Sequence, residues 1–424
     1  MTDTAKALAR RIRQHVTGRE HRLFAVVHPG FEETAAAELR ELGVASTLDL
    51  TEGGVEFEGK LEDVYRVNYA AYTPTRLLMR LTVFRAEEFT RLRAKALEFP
   101  WELHLAGGAP LSFSITCRHS RLYHTGRIEQ EIRAAVSQRF SAAGLPVPQP
   151  GDAESPEGAQ VFVRFQDDIC TLSIDSTGEP LYRRGYRTHV VDAPLRETLA
   201  ACILRAARLE TVRTLIDPMC GSGTFSLEAA LMSAGRPAGE TRTFAFESWP
   251  AFRPAAFGYL KKNFRSPGPA HGSLRIVCGD TDERALLATT ANAQTAGVSS
   301  SVSPVKMDFF DYVSDIAPDA TTLLVLNPPY GGRMGSRAGT VLFYKMIGEK
   351  VKADYAAARF AIVAPGQECE RALDLPYSRK ILFMNGGIKV ALLVKDAPFD
   401  SAQGAGGARS LDGAETSEAN TSAR

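Results

Sequence analysis

The chain has 424 residues, 44% of them hydrophobic and 23% charged, a balance that excludes a disordered or fibrous polymer and suffices for two or three folded units. Fifty Lys and Arg stand against 49 Asp and Glu, a formal net charge of +1, so overall charge does not point to a polyanionic partner and any basic surface has to be local. Six scattered cysteines lack the paired spacing of a metal or redox motif, and with no apolar run long enough for a bilayer or a signal peptide the chain is expected in the cytoplasm, without membrane or metal.

Residues 1–20 form a polar, basic N-terminal arm that suits a short surface helix. From Leu23 to Gly30 an apolar strand ends in a Pro-Gly turn; a helical pattern follows and stops at Gly43, and an alternating strand begins at the Gly53-Gly54 pair. With the helical stretch Leu61–Ala70 and a strand from Arg76, this predicts a small α+β sandwich. A second such unit is expected from the strand at Leu111, the helix from Gly126 to Phe140 and the hairpin Val161–Asp175, with a Pro-rich loop around 146–158. Together these make one region, 21–180. Between Arg66 and Arg139 there are twelve basic side chains and six acidic ones, a local excess that the fold can gather into a patch. Arg118, Arg121 and Arg127 lie around a strand-to-helix junction and are the candidates for phosphate contacts.

From 181 to 398 apolar strands alternate with longer helices, which predicts a doubly wound, Rossmann-like α/β sheet. Strands are expected at Thr214, Arg275, Val302, Thr322, Phe360 and Gly387. Residues 399–424 are rich in Gly, Ser, Ala and Thr and read as a disordered tail.

The turn Asp217-Pro218-Met219-Cys220-Gly221-Ser222-Gly223-Thr224 follows the first of these strands. Glycines at the carboxyl end of such a strand let a ligand approach the backbone at a helix N-terminus. No Lys-Ser or Lys-Thr follows, so this is not a phosphate-binding Walker loop, and the carboxylate of Asp217 suits the cationic end of a cofactor rather than a pyrophosphate. Asp280 and Asp308 end the next two strands, where one carboxylate can accept from ribose hydroxyls and the other from an adenine amino group; Asp282 suits a helix cap. The sharpest signal is Asn327-Pro328-Pro329-Tyr330, directly after an apolar strand. Prolines have no N–H, so the amide oxygen of Asn327 and the carbonyl of Pro328 are available to both hydrogens of an –NH2 group, while Tyr330 offers a flat face to a planar base. Each feature has a plain structural alternative: a tight turn, a capping aspartate, a Pro-rich turn with a buried Tyr.

Taken together, the blocks LFAVVHPGFEETAAAELRELG, GGVEFEGKLEDVYRVN, LYRRGYRTHVVDAPLRETLAACIL, LIDPMCGSGTFSLEAA, FAFESWP, GDTDERALLATTANAQTAGV, LNPPYGGRM and FMNGGIKVALLV resemble the THUMP-domain RNA methyltransferases, guanine-N2 branch. The resemblance runs from about Leu23 to Val394 and implies a ferredoxin-like and THUMP region that grips RNA, ribosomal or transfer, ahead of a class I methyltransferase domain. It implies S-adenosylmethionine as cofactor, cradled by the turn from Asp217 to Thr224, with Asp280 at its ribose, Asp308 near its adenine and the helix start Pro194–Thr198 closing over it. It also implies that Asn327, Pro328, Pro329 and Tyr330 engage the target amino group. The same constellation serves adenine N6 and glutamine amides, and a scaffold that lost its chemistry is the non-enzyme alternative. The aromatic segment Phe244–Phe252 is open between a substrate wall and a local core.

Overall fold

The computed structural model describes residues 3–45, 47–152, 158–191, 194–265, 274–315, 317–330 and 336–396. The tail expected over 399–424 lies outside the described residues.

The N-terminal half contains α1 (Asp3–Ile12), β1 (His21–Val26), α2 (Glu32–Glu41), β2 (Asp49–Thr51), β3 (Gly54–Gly59), α3 (Leu61–Ala70) and β4 (Arg76–Arg85). It continues with α4 (Phe89–Glu98), β5 (Pro110–Arg118), α5 (Thr125–Ala142), β6 (Gln149–Pro150), β7 (Ala159–Gln166) and β8 (Ile169–Asp175). The two units expected from sequence share a single eight-stranded sheet, ordered β2-β3-β1-β4-β8-β7-β5-β6. The ten-residue β4 joins them, pairing antiparallel with β1 through Leu23 and Met79 on one edge and with β8 through Leu78 and Asp175 on the other. A pattern of two similar strand and helix runs carries no information on whether two edges meet, so the merger was not legible. The arm is a docked helix: Ile12 is buried and Arg11 donates to Glu102 at 2.8 Å.

The C-terminal half is built from α6 (Glu197–Ala206), β9 (Thr214–Asp217), α7 (Thr224–Ser233), α8 (Pro254–Asn263), β10 (Arg275–Asp280) and α9 (Glu283–Ala296). Then come β11 (Val305–Lys306), β12 (Thr322–Leu326), α10 (Arg337–Asp354), β13 (Arg359–Pro365), α11 (Gly366–Leu373), β14 (Arg379–Asn385) and β15 (Ile388–Lys395). The sheet order is β11-β10-β9-β12-β13-β15-β14, parallel except for β15, which runs antiparallel to both its neighbours. β9 and β12 are buried at every position, as parallel strands covered on both faces must be. Successive residues feed two cores. Leu215, Leu323, Val325, Ala361 and Val363 belong to the core shared with α6 and the N-terminal half, whereas Ile216, Leu324, Leu326, Phe360 and Ile362 pack under α10 and α11.

One hydrophobic cluster runs from Ile12 to Val394, so the halves are welded rather than tethered. The aromatic segment does much of this. Phe246 is fully buried, with its ring centroid 4.7 Å from Tyr65 on α3, 5.1 Å from Phe257 on α8 and 5.3 Å from Phe244. The Phe244–Phe252 segment is therefore core between the halves, not a wall for a substrate.

Candidate functional site

The order in which strands are added reverses between the parallel neighbours β9 and β12: from β9 the chain steps outward to β10 and β11, then returns to β12 on the other side. A crevice forms where strand order reverses in this way, at the carboxyl ends of the strands. Here it is a cleft of about 1050 Å³ whose wall carries Pro194, Cys220, Gly221, Asp280, Asp308 and Asn327. Pro218, Ser222, Thr224 and Pro329 line it as well.

The turn after β9 is closed by its own Gly223 N–H to Cys220 carbonyl bond at 2.8 Å and is held in place by its neighbours. The Gly221 N–H donates to Asp280 Oδ2 at 2.9 Å, the Cys220 N–H to the Gly279 carbonyl at 2.9 Å, and the Thr289 hydroxyl to the Gly221 carbonyl at 2.9 Å. Asp280 also accepts the Asp282 N–H at 3.0 Å through Oδ1, so each of its oxygens is oriented by one backbone donor and keeps a lone pair toward the cleft. Asp282 caps α9 through the Arg284 N–H at 2.9 Å, the role its position suggests. The two glycines differ in purpose. At Gly221 (φ +55°) the space for a side chain is open up to Val191 at 3.8 Å, whereas at Gly223 (φ +82°) a Cβ would stand 2.6 Å from Thr289. Gly223 is required for the approach of α9, and Gly221 leaves room on the cleft side.

Three of the expected cofactor residues stand behind the wall rather than on it. The Asp217 side chain is sealed under the turn with 1% of its surface exposed, and accepts the Ser226 hydroxyl at 2.8 Å. Burial, reinforced by the nearby Asp280 and opposed by the Ser226 bond, pushes its carboxyl up to about 7. Direct pairing of Asp217 with a cationic cofactor end, expected from sequence, is not what this geometry offers, because the carboxylate does not reach the cleft. Thr198 is fully buried, its hydroxyl 3.2 Å from His28 Nε2, and the approach of α6 to the cleft is made by Pro194 and Leu195 instead. Gly223 acts through α9, as above.

At the end of β12, Asn327 lines the cleft with its side-chain oxygen buried and without a hydrogen-bond partner among the described residues; Ser222 Oγ, also on the wall, is in the same state. An unpaired buried acceptor costs stability, and a ligand donor would relieve that cost. Pro328 is buried and Tyr330 half-buried, both off the cleft wall that Asn327 and Pro329 line; the Tyr330 phenol oxygen accepts from Asn385 Nδ2. Asp308 is exposed on the wall and accepts the Phe310 N–H at 2.9 Å. Beside it Phe310 and Phe343 meet edge to face at 5.5 Å and close that end of the cleft.

Sequence reasoning missed the parts that bring residues 189–191 and Leu195 to the cleft. Asn292 on α9 accepts the N–H groups of Thr188 at 3.0 Å and His189 at 3.1 Å and donates to the His189 carbonyl at 2.8 Å. Arg187 donates to the Leu195 carbonyl at 2.7 Å and to Thr224 Oγ1 at 2.9 Å, and pairs with Glu197 at 3.0 Å. One signal existed: Thr289 and Asn292 fall on the buried stripe of α9 with Ala285, Ala288, Ala293 and Ala296, and polar residues on such a stripe must be satisfied by tertiary partners.

Arg118, Arg121 and Arg127 are all exposed. Arg121 is ion-paired with Glu87, and Arg127 stacks over Phe89 at 4.3 Å. Among the described residues no cluster of His, Cys, Asp and Glu could hold a metal ion, and no helix is long and apolar enough to cross a membrane.

Comparison with known proteins agrees with this architecture. Residues 184–393 match the model of the RMKL-like methyltransferase domain and residues 22–78 that of the RlmL ferredoxin-like domain. The chain is 32% identical over 383 residues to a "Ribosomal RNA large subunit methyltransferase K/L" of Syntrophotalea carbinolica, covering 88% of this chain and 53% of that one. It is 30% identical to a "Putative RNA methyltransferase" of Synechocystis, covering 87% of this chain and 95% of the relative. The chain thus spans about half the length of the K/L relative and nearly all of the Synechocystis one. Among solved structures it is similar to "a putative methyltransferase complexed with SAH", with TM-score 0.80, 25% identity and coverage of 90% of this chain and 100% of the other. With a relative at this identity matched over nearly its whole length, the chain belongs to the family of RMKL-like methyltransferases that carry an RlmL ferredoxin-like domain at the N-terminal end.

Proposed function

We propose that the protein binds S-adenosylmethionine in the cleft between β9 and β12 and methylates the exocyclic N2 amino group of a guanine in large-subunit ribosomal RNA. The observation that carries this reading is the side-chain oxygen of Asn327 on the cleft wall, buried and without a partner among the described residues, followed by two residues that have no N–H to offer it. The donor set fits the cofactor. Asp280 has lone pairs for ribose hydroxyls, Asp308 stands at the next strand end, and Gly221 with Pro194 and Leu195 leaves a walled space of sufficient size.

When bound, S-adenosylmethionine supplies a methyl group already activated on a sulfonium. The chain's own residues position the acceptor. Asn327 Oδ1 and the Pro328 carbonyl accept the two amino hydrogens, which turns the nitrogen lone pair toward the cofactor side. Tyr330 stacks against a base drawn out of its helix, the arrangement that chemistry on a stacked base demands. An amide is no base, so these acceptors orient the amino group while its proton leaves to solvent as the new bond forms. Asp217 supports the turn from beneath, and Arg187 and Asn292 hold His189 and Leu195 at the border of the cofactor space.

The choice of RNA rests on the relatives' names and on the exposed Arg118, Arg121 and Arg127, which suit phosphate contacts of the salt-sensitive kind. The six free cysteines fit a reducing cytoplasm. The test is a comparison of ribosomal and transfer RNA nucleosides by mass spectrometry from cells with and without the gene. One N2-methylguanine lost from large-subunit RNA and restored by the purified enzyme is the expected result; an unchanged ribosomal profile with a loss in transfer RNA would overturn the substrate.

A further inference from the structure

We propose that Asn385, at the tip of the β14–β15 hairpin, is a positioning residue that fixes the Tyr330 ring for its encounter with the target base. The proposal rests on the reading of Tyr330 given above. Its direct basis is the hydrogen bond from Asn385 Nδ2 to the Tyr330 phenol oxygen, made between residues 55 apart in sequence.

The hairpin itself gives no reason for an asparagine there. Asn385 pairs with Ile388 as the last rung of the ladder, and the two turn residues are Gly386 (φ +57°) and Gly387 (φ +82°). These glycines supply the two positive φ angles that a tight hairpin needs. Asn385 is thus a strand residue, where asparagine is disfavoured, and its side chain is spent on Tyr330. The strand that carries it is a fixed reference. Phe383 packs edge to face on Phe31 at 5.3 Å, and a Cβ on Gly30 would stand 2.5 Å from the Leu382 carbonyl, so the Pro29-Gly30 turn of the N-terminal half is seated on β14. Tyr330 is then held at its backbone by Pro329 and at its phenol by Asn385. A ring pinned at both ends loses its freedom before the base arrives, which is how preorganisation favours a near-attack geometry.

A double-mutant cycle tests this. Asn385→Ala and Tyr330→Phe each remove the bond while keeping the ring, so each is expected to slow single-turnover methyl transfer by about 3- to 10-fold, and the double variant should be no slower than either. Cofactor affinity should stay at the wild-type value and the melting temperature should fall by no more than a few degrees in each variant, so that the slowing is read on folded, cofactor-saturated enzyme. Selective 15N-asparagine labelling gives a readout independent of activity: the side-chain amide pair that vanishes in Asn385→Ala should shift in Tyr330→Phe. An unmoved amide pair, or losses that multiply in the double variant, would overturn the proposal. If Tyr330→Ala is slow but Asn385→Ala transfers at the wild-type rate, this inference fails and the stacking role stands; if Tyr330→Ala transfers at the wild-type rate, the stacking role fails with it.

Discussion

Replacing Asp217 by Asn separates two accounts of the turn after β9. The carboxyl is fully buried beneath the turn, and its proton is held up to about 7 by burial and by Asp280, against an ordinary value near 4 in the unfolded chain. The sign follows from linkage. A carboxyl whose folded value is raised binds its proton more tightly in the native state, so native stability falls as pH rises from about 4 to 7 and is level above that. At roughly 1.4 kcal/mol per unit, the span from pH 5 to pH 7 amounts to about 2 to 3 kcal/mol. An amide does not titrate, so urea unfolding of the Asp217→Asn protein should lose about that much less stability than wild type between pH 5 and pH 8; any constant offset from the new amide cancels in this comparison. Because the side chain accepts from Ser226 and does not reach the cleft, affinity for S-adenosylmethionine should change only a few-fold. A direct ion pair with the cofactor would instead cost roughly 1.5 to 3 kcal/mol of binding. Parallel pH curves for the two proteins, or a tenfold or larger loss of cofactor affinity, would refute the reasoning.

Phe246→Ala empties the middle of the aromatic junction between the halves and should lower stability by about 3 to 5 kcal/mol, measured by denaturant unfolding, with one cooperative transition rather than two. Gly223→Ala drives a Cβ to within 2.6 Å of Thr289; it should displace α9 and weaken cofactor binding in calorimetry, whereas Gly221→Ala, with open space beside it, should be milder. The triple replacement of Arg118, Arg121 and Arg127 by Ala should weaken RNA binding in gel shifts and flatten its dependence on log salt by up to about 0.9 for each phosphate no longer neutralised on duplex-like RNA, leaving cofactor affinity unchanged.

How far the sequence led can be seen in particular residues. The centre of the C-terminal sheet was legible because its strands are buried on both faces and read as apolar runs, as in β12 with every position buried. β14 was not, because it is an edge strand that opens on the exposed Arg379 and Lys380 and buries only Phe383, and with it went the link between Asn385 and Tyr330. The cleft residues were legible as strand-end motifs, yet motif reading cannot tell a side chain on the wall from one behind it: Asp280 and Asp217 are both strand-end aspartates, and only packing puts one in the cleft and the other under the turn. Phe244–Phe252 shows the same limit, since an aromatic cluster reads alike whether it faces a ligand or α3. Arg187 and Asn292 act by bonds to backbone groups far away in sequence, which no local pattern records.

In the proposed mechanism Asn327 receives the target amino group, and single-turnover transfer from radiolabelled S-adenosylmethionine to ribosomal RNA by the Asn327→Ala enzyme tests this most directly. Its side-chain oxygen has no hydrogen-bond partner among the described residues, so removing it should leave the melting temperature and cofactor affinity near wild type while slowing the chemical step by about 10²- to 10³-fold, or roughly 2.7 to 4 kcal/mol. Transfer at the wild-type rate by a folded, cofactor-binding Asn327→Ala protein would contradict the mechanism.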